Sequence, residues 1–200
     1  MSTQKEEVSE REYAWAWAYT VGSRGVEDGG IEFEVKHKET AEKLSGILGG
    51  ETAPVTRERE NAHRDVEGEE RVYEVSAEAD NEFHDDIQRL KSFVKKGYER
   101  ESLRGLLESC GTICYKKSTK SLGVSFSTPS HRLTTTIQDI IEPEFETGHI
   151  ERASSGNYWF SVEDVGDFAD YVYEDKGNLY SPPRHDKLEG CREQVRQASG

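Results

Sequence analysis

The chain has 200 residues, enough for one large domain or two small ones, and hydrophobic residues make up 33% of it. Its 40 acidic and 26 basic residues give a net charge of −14, which argues against a nonspecific nucleic-acid binder because neutralising phosphates requires basic surface. A polar start and the lack of a long apolar run predict neither a secretory signal nor a membrane-spanning helix, and three cysteines without framework spacing favour a reduced cytoplasm.

The first half of the chain alternates helical and extended patterns. Its predicted elements are, in order, a flexible N-terminus (1–9), a helix (10–21), a hairpin (26–37), a helix (39–48), two extended segments (52–60 and 71–77) and a helix (81–95). The hairpin follows from the alternation of Ile31, Phe33 and Val35 with charged residues after an Asp28-Gly29 turn. Trp15 and Trp17 point to different faces of the first helix, so one is expected in the core and the other at a sheet edge or partner.

The second half repeats this order more clearly. Its predicted elements are a helix (99–110), strands (112–117 and 121–128), a helix (130–141), strands (149–154 and 158–162), a helix (165–173) and a polar tail (176–200) with a short helix from His185. Equivalent landmarks lie roughly 90 residues apart, which indicates a tandem duplication. We therefore predict an α+β protein of two units, residues 10–97 and 98–175.

The helix that opens the second unit carries a recognisable motif. Residues 103–111 read Leu-Arg-Gly-Leu-Leu-Glu-Ser-Cys-Gly, which resembles the signature helix of the LAGLIDADG homing endonucleases. In the first unit the preferred match is 14–23, with Ala16 and Thr20 in the places of Gly105 and Ser109, and a shifted match ending at Gly25 is the alternative. The resemblance implies a monomer of two αββαββα units with pseudo-two-fold symmetry, whose antiparallel sheets form a saddle on double-stranded DNA.

The match departs from the family at the residues that carry its chemistry. In the family, the acid before the terminal glycine of each motif binds the divalent metal that drives cleavage. Those positions hold Cys110 and Val21 here, or Arg24 in the shifted match, and a neutral thiol is a poor ligand for Mg²⁺. Glu108 stands at the motif's earlier acid and is the one weak catalytic candidate. We expect cleavage to be lost or impaired, with no metal site and no cofactor unless a surviving endonuclease uses Mg²⁺.

The family binds DNA with the sheet face turned away from the helices. On that face the candidate DNA-binding residues are Arg57, Arg59, Lys116, Lys117, Lys120, Ser125 and Ser127. The corresponding face of the first unit carries Glu32 and Glu34, which would repel phosphates. We therefore expect any DNA surface to be stronger in the second unit.

Three functions remain open from the sequence. The first is a double-stranded-DNA-binding protein without efficient cleavage. The second is an active metal-dependent endonuclease whose site is rebuilt around Glu108 with Glu27 or Asp28. The third is an acidic module that binds proteins rather than DNA. The acidity fits either a partner-binding surface or adaptation to a salt-rich cytoplasm.

Overall fold

The computed structural model describes residues 2–20, 24–25, 30–60, 67–78, 90–91 and 99–199. The first half of the described chain contains α1 (Ser2–Thr20), β1 (Arg24–Gly25), β2 (Gly30–Val35), α2 (Lys38–Leu48), β3 (Glu51–Glu60) and β4 (Glu67–Glu78). The second half contains α3 (Glu99–Cys110), β5 (Gly111–Lys116), β6 (Ser121–Thr128), α4 (His131–Ile141), β7 (Glu151–Arg152), β8 (Tyr158–Val162), α5 (Val165–Tyr173) and α6 (Pro182–Ser199). The chain divides into two compact units, Val21–His84 and Met1–Thr20 with Asp85–Gly200.

The unit Val21–His84 is a four-stranded antiparallel sheet with one described helix on it. The strand order is β1-β2-β4-β3, and α2 packs on the sheet through Ala41 and Leu44, both fully buried. Ile31, Phe33 and Val35 of β2 are buried, as their alternation predicts. Because side chains alternate along a strand, the intervening residues of β2 lie on the face away from these three.

The unit made of Met1–Thr20 and Asp85–Gly200 contains a sheet of the same topology. Its strand order is β5-β6-β8-β7, so the two sheets follow one scheme, which confirms the predicted tandem duplication. The core of this sheet is aromatic: the rings of Phe126 and Phe160 stack with centroids 5.4 Å apart, and Phe168 of α5 meets Phe126 edge-on at 6.0 Å. Ser130 caps α4 by accepting a hydrogen bond from the backbone N–H of Leu133 at 3.3 Å.

Helices α1 and α3 pack against each other, and both belong to the compact unit made of Met1–Thr20 and Asp85–Gly200. Every residue from Tyr13 to Ala18 is buried, so this part of α1 is enclosed on all sides. Trp15 and Trp17 are each 4% exposed, so the expectation that one of them leaves the core was wrong.

The termini of the chain are more helical than predicted. α1 begins at Ser2 rather than at residue 10, because residues 2–9 contain no glycine or proline and several good helix formers. α6 begins at Pro182 rather than at His185 and runs for 18 residues, since proline is tolerated in the first turn of a helix. The tail is therefore mostly a helix.

Two strands also differ in length from the prediction. β4 begins at Glu67 rather than at residue 71, because it pairs with β3 as far as the Glu60–Glu67 pair. β7 comprises Glu151 and Arg152 alone rather than the whole segment 149–154. Of the predicted helix 81–95 only Leu90 and Lys91 are described, and the predicted boundary between residues 97 and 98 lies outside the described residues.

Candidate nucleic-acid interface

At Gly105 the backbone of α3 packs directly against the backbone of α1. A Cβ atom at this position would lie 2.6 Å from the carbonyl oxygen of Tyr13 and 2.7 Å from the Cβ of Ala16. Only glycine therefore allows the two helices to approach this closely, as the sequence motif predicts.

One turn further along, the two helices are joined by side chains. The hydroxyl groups of Thr20 and Ser109 share a hydrogen bond, and these residues lie 89 residues apart in the chain. The contact between Ala16 and Gly105 has the same separation, so equivalent positions of the two motifs meet each other. This register confirms the preferred match over 14–23 and contradicts the shifted match ending at Gly25.

Cys110 occupies the motif position of the family's metal-binding acid. Its side chain is half-buried and donates a hydrogen bond to the carbonyl of Leu106 at 3.4 Å. Burial raises the pKa of the Cys110 thiol to about 12, so the group is neutral at physiological pH. The equivalent position in the first motif, Val21, lies outside the described residues.

Glu108, the motif's earlier acid, is fully buried between helices. Oε2 accepts hydrogen bonds from the Tyr13 hydroxyl and from the backbone N–H of Ser181 at 2.9 Å, and Oε1 accepts one from the Tyr173 hydroxyl at 3.0 Å. Burial raises the pKa of Glu108 to about 7, although these three hydrogen bonds lower it. The carboxyl group joins α1, α5 and the start of α6, which indicates a structural role.

Arg104 lies one turn earlier on α3 and is only 1% exposed. Its guanidinium donates hydrogen bonds to the carbonyl oxygens of Val172 at 2.8 Å, Leu179 at 2.9 Å and Glu174 at 3.3 Å. Burial lowers the pKa of Arg104, and the nearby Glu108 carboxyl opposes this effect. The residue thus fixes the end of α5 and the segment that leads to α6.

These side chains do not fit a divalent metal. Hard cations such as Mg²⁺ prefer oxygen ligands, usually carboxylates, whereas Cys110 is a neutral thiol and both oxygens of the buried Glu108 already accept hydrogen bonds. Within the described part of the chain, no three His, Cys, Asp or Glu side chains are grouped closely enough to hold a metal ion. Catalysis by Glu108 stays a prediction that its surroundings do not favour.

The face of the second sheet turned away from Phe126 and Phe160 is lined mainly by small side chains, most of them polar, together with one lysine and one glutamate. We call it the C-terminal open face, and it comprises Thr112, Cys114, Lys116, Ser121, Gly123, Ser125, Ser127, Glu151, Trp159 and Ser161. A Cβ atom on Gly123 would lie 2.7 Å from Cε of Lys116 and 3.0 Å from Sγ of Cys114. The predicted candidates Lys116, Ser125 and Ser127 therefore share one face.

Two further lysines belong to the β5–β6 hairpin beside this face. Lys117 and Lys120 lie in the turn that joins Lys116 to Ser121, and both are exposed. Lys120 has a positive φ of 53° and donates a hydrogen bond from Nζ to the carbonyl of Ala198 at 3.4 Å. The three predicted lysines are thus gathered at one end of the C-terminal open face.

The two predicted arginines belong to the other unit. Arg57 and Arg59 lie on β3, where their backbones pair with Glu70 and Gly68 of β4. Their side chains are outside the described residues, so their part in DNA binding stays a prediction.

The face of the first sheet turned away from α2 carries acids instead. Strand register places five glutamates on the side of the sheet away from Ile31 and Phe33, and we call this the acidic face: Glu32, Glu34, Glu51, Glu74 and Glu78. The prediction of acids on this face from Glu32 and Glu34 is confirmed, and β3 and β4 add three more. Such a face repels a phosphate backbone.

Some residues of the site were missed in the sequence. Trp159 and Ser161 lie on the C-terminal open face, and the burial of Phe160 and Val162 shows that period-two alternation along β8 could have placed them there. Arg104 carried no such signal, because its partners Val172 and Leu179 are distant in the sequence.

A family profile matches this chain over almost its whole length. The profile of the LAGLIDADG family described as "Putative archaeal homing endonuclease" matches residues 3–198. Among curated proteins, no relative matches. None of the helices in the described ranges has both the length and the apolar composition needed to cross a membrane.

Solved structures share the fold at low sequence identity. Full-length DUF199/WhiA from Thermatoga maritima is 12% identical with a TM-score of 0.57, and the match covers 96% of this chain but 61% of that protein. The homing endonuclease I-WcaI bound to its DNA recognition sequence is 12% identical with a TM-score of 0.53, covering 91% of this chain and 86% of that one. I-DmoI in complex with DNA and Mn is 10% identical with a TM-score of 0.51, covering 84% and 96%.

Proposed function

We propose, because this chain belongs to the LAGLIDADG family of homing endonucleases, that it binds double-stranded DNA and that its cleavage activity is lost or strongly impaired. The contact is made by the C-terminal open face, with little contribution from the first sheet. Relatives of the same fold have been solved bound to DNA, which supports the choice of ligand.

The chemistry of the C-terminal open face carries this proposal. Lys116, Lys117 and Lys120 provide cations for phosphate oxygens, and Ser125 and Ser127 provide hydroxyl groups that can donate to phosphates or base edges. Because the chain has a net charge of −14, its affinity for DNA rests on this local cluster rather than on overall charge. Binding should weaken as the salt concentration rises.

The chemistry of the residues at the end of the α1–α3 pair supports the loss of cleavage. In the family a divalent metal there supplies charge stabilisation for the reacting phosphate. In this chain the Cys110 thiol is neutral and the Glu108 oxygens are occupied by Tyr13, Tyr173 and Ser181, so neither residue offers an exposed carboxylate. Glu27 and Asp28, the other acids considered for a rebuilt site, lie outside the described residues.

The test combines binding and cleavage by the purified protein. It would be mixed with supercoiled plasmid and with a random duplex library, with and without Mg²⁺ or Mn²⁺, over a range of salt concentrations. We expect selective retention of some duplexes without nicking. The variant Lys116→Glu/Lys120→Glu should lose most of this binding, because each substitution replaces an attractive charge with a repulsive one.

A matched control separates the local surface from overall charge. Lys38→Glu makes the same charge change as Lys116→Glu alone, but on α2, where the side chain is 64% exposed and pairs with Glu42, so it should affect DNA binding far less than Lys116→Glu. Equal losses for Lys116→Glu and Lys38→Glu would contradict the assigned surface. Metal-dependent cutting that Glu108→Gln abolishes would instead establish an active endonuclease.

The acidic face favours a second candidate, a module that binds a basic protein. Five glutamates on one sheet face fit a partner rich in lysine and arginine. Absence of both binding and cutting at every salt concentration would make this candidate the leading one.

A further inference from the structure

The C-terminal helix α6 lies along β5 at the border of the C-terminal open face. Near its start, Nη1 of Arg184 donates a hydrogen bond to the carbonyl of Gly111, the first residue of β5, at 3.3 Å. Near its end, the carbonyl of Ala198 accepts from Lys120, just beyond the other end of β5. The helix therefore follows the strand over its whole length, and its packing on β5 and β6 agrees with this.

One side of α6 is turned toward the open face. Leu188 and Cys191 lie about one turn apart and are buried where the helix packs. Arg192 pairs with Asp170 of α5, and α5 packs on the core side of the sheet through Phe168. Lys187 is exposed and lies on the flank of α6 across from Arg192, so its flank is the one that borders the C-terminal open face.

The charges of α6 are sorted between its two flanks. Arg192 pairs with Asp170 of α5 and with Glu189 at 3.0 Å, and Arg196 pairs with Glu193 at 3.3 Å. Arg184 and Lys187 form no ion pair with any carboxylate in the described ranges, and the one hydrogen bond of the Arg184 guanidinium there goes to a carbonyl oxygen. Their spacing of three residues makes them neighbours on one side of the helix.

In a chain with 40 acidic residues, this arrangement leaves two neighbouring cations that form no ion pair within the part of the chain that the structure describes. Arg184 and Lys187 continue the row that begins with Lys116, Lys117 and Lys120 on the hairpin. A row of unpaired cations beside a polar sheet face is the chemistry that binds successive phosphates of a nucleic-acid backbone.

We infer that α6 is part of the DNA interface and that Arg184 and Lys187 bind backbone phosphates along the β5 border of the C-terminal open face. The inference rests on the proposed function and extends it to a segment outside the two repeated units. The helix thereby lengthens the contact on the side of β5, while on its opposite flank Arg192 pairs with Asp170 of α5 and Arg196 pairs with Glu193 of α6 itself.

The experiment measures the salt dependence of binding to duplex DNA from the selected pool. Lys187→Gln should weaken binding and reduce the slope of log K against log salt by about one unit, and Arg184→Gln/Lys187→Gln should reduce it by about two. The control is Arg196→Gln on the same helix, which removes the same charge from a residue paired with Glu193 and should leave the slope unchanged.

The single variant guards against a folding defect, because Lys187 is exposed and its removal breaks no described hydrogen bond. A wild-type slope in Lys187→Gln and in the double variant, with wild-type protein still binding DNA, would overturn the role of α6 and leave the proposed function intact. No DNA binding by wild-type protein would overturn both. An equal loss of slope in Arg196→Gln would show an effect of net charge alone and would also overturn the inference.

Discussion

The two sheets of this protein share a strand order but present different chemistry on the faces turned away from their cores. β1-β2-β4-β3 carries the five glutamates of the acidic face, whereas β5-β6-β8-β7 carries serines, a threonine, one lysine and one glutamate. Their covered faces agree in kind, with Ile31 and Phe33 in one sheet and Val124 and Phe126 in the other. The fold thus depends on the residues that face the core, and the charge of the outward face can differ between the two sheets.

The two signature helices likewise agree at their shared contact and differ elsewhere. Where α1 and α3 touch, equivalent positions match in size: Ala16 meets Gly105, and Thr20 meets Ser109. The position of Glu108, which anchors α6 in the second motif, holds Tyr19 in the first. Helix contact therefore constrains the repeats to be alike, while the surroundings of each helix allow them to differ.

The largest expected effect comes from breaking the match between the two helices. Gly105→Val should destabilise the protein by about 3 kcal/mol or more, because the new side chain would overlap the Tyr13 carbonyl and the Ala16 methyl group. Chemical denaturation followed by circular dichroism would measure this loss.

Gly166→Ala in α5 is the matched control. Beyond its own helix turn and chain neighbours, no described atom lies within 4 Å of the added methyl group, so this variant should gain up to about 1 kcal/mol from higher helix propensity. A Gly105→Val protein as stable as wild type would contradict the close packing of α1 and α3.

The next effect concerns the position where the two motifs differ, Glu108. Its pKa rises from an ordinary 4.5 to about 7 in the folded protein, so the folded state binds a proton more tightly than the unfolded state. Stability should be greatest below about pH 4.5 for this group and should fall by about 3 kcal/mol as the pH rises to about 7.

Denaturation curves of wild-type protein and Glu108→Gln at pH 5 and pH 7.5 would isolate this contribution, because glutamine does not titrate. The difference in unfolding free energy between wild type and variant should change with pH in the stated direction. Parallel pH profiles for the two proteins would show that the Glu108 carboxyl does not gain its proton on folding.

Much of the fold could be predicted because its signals are local. The bounds of α3, β6, β8 and α5 follow from helical or alternating apolar positions and from Gly111 at the end of the motif. The site face of β6 could be predicted in the same way, since Val124 and Phe126 are buried and therefore place Ser125 opposite them.

The rest depended on contacts between distant residues. Glu108 bonds to Tyr13, Tyr173 and Ser181, which lie 65 to 95 residues away, so no local pattern could show that it is buried. α6 was missed as an element of the interface because its sequence is strongly polar, and only its packing on β5 shows which charges remain unpaired.

The smallest expected effect comes from removing negative charge from the acidic face. If its charge repels a bound duplex, Glu32→Gln/Glu34→Gln should raise DNA affinity a few-fold at low salt, and the gain should fade above about 0.2 M salt as screening shortens to less than about 8 Å. Glu39→Gln, an exposed residue on α2, removes one charge away from this face and is the control. A gain per charge no larger than that of the control would mean that only net charge matters, whereas a larger gain would show that the charge of the acidic face itself opposes DNA binding.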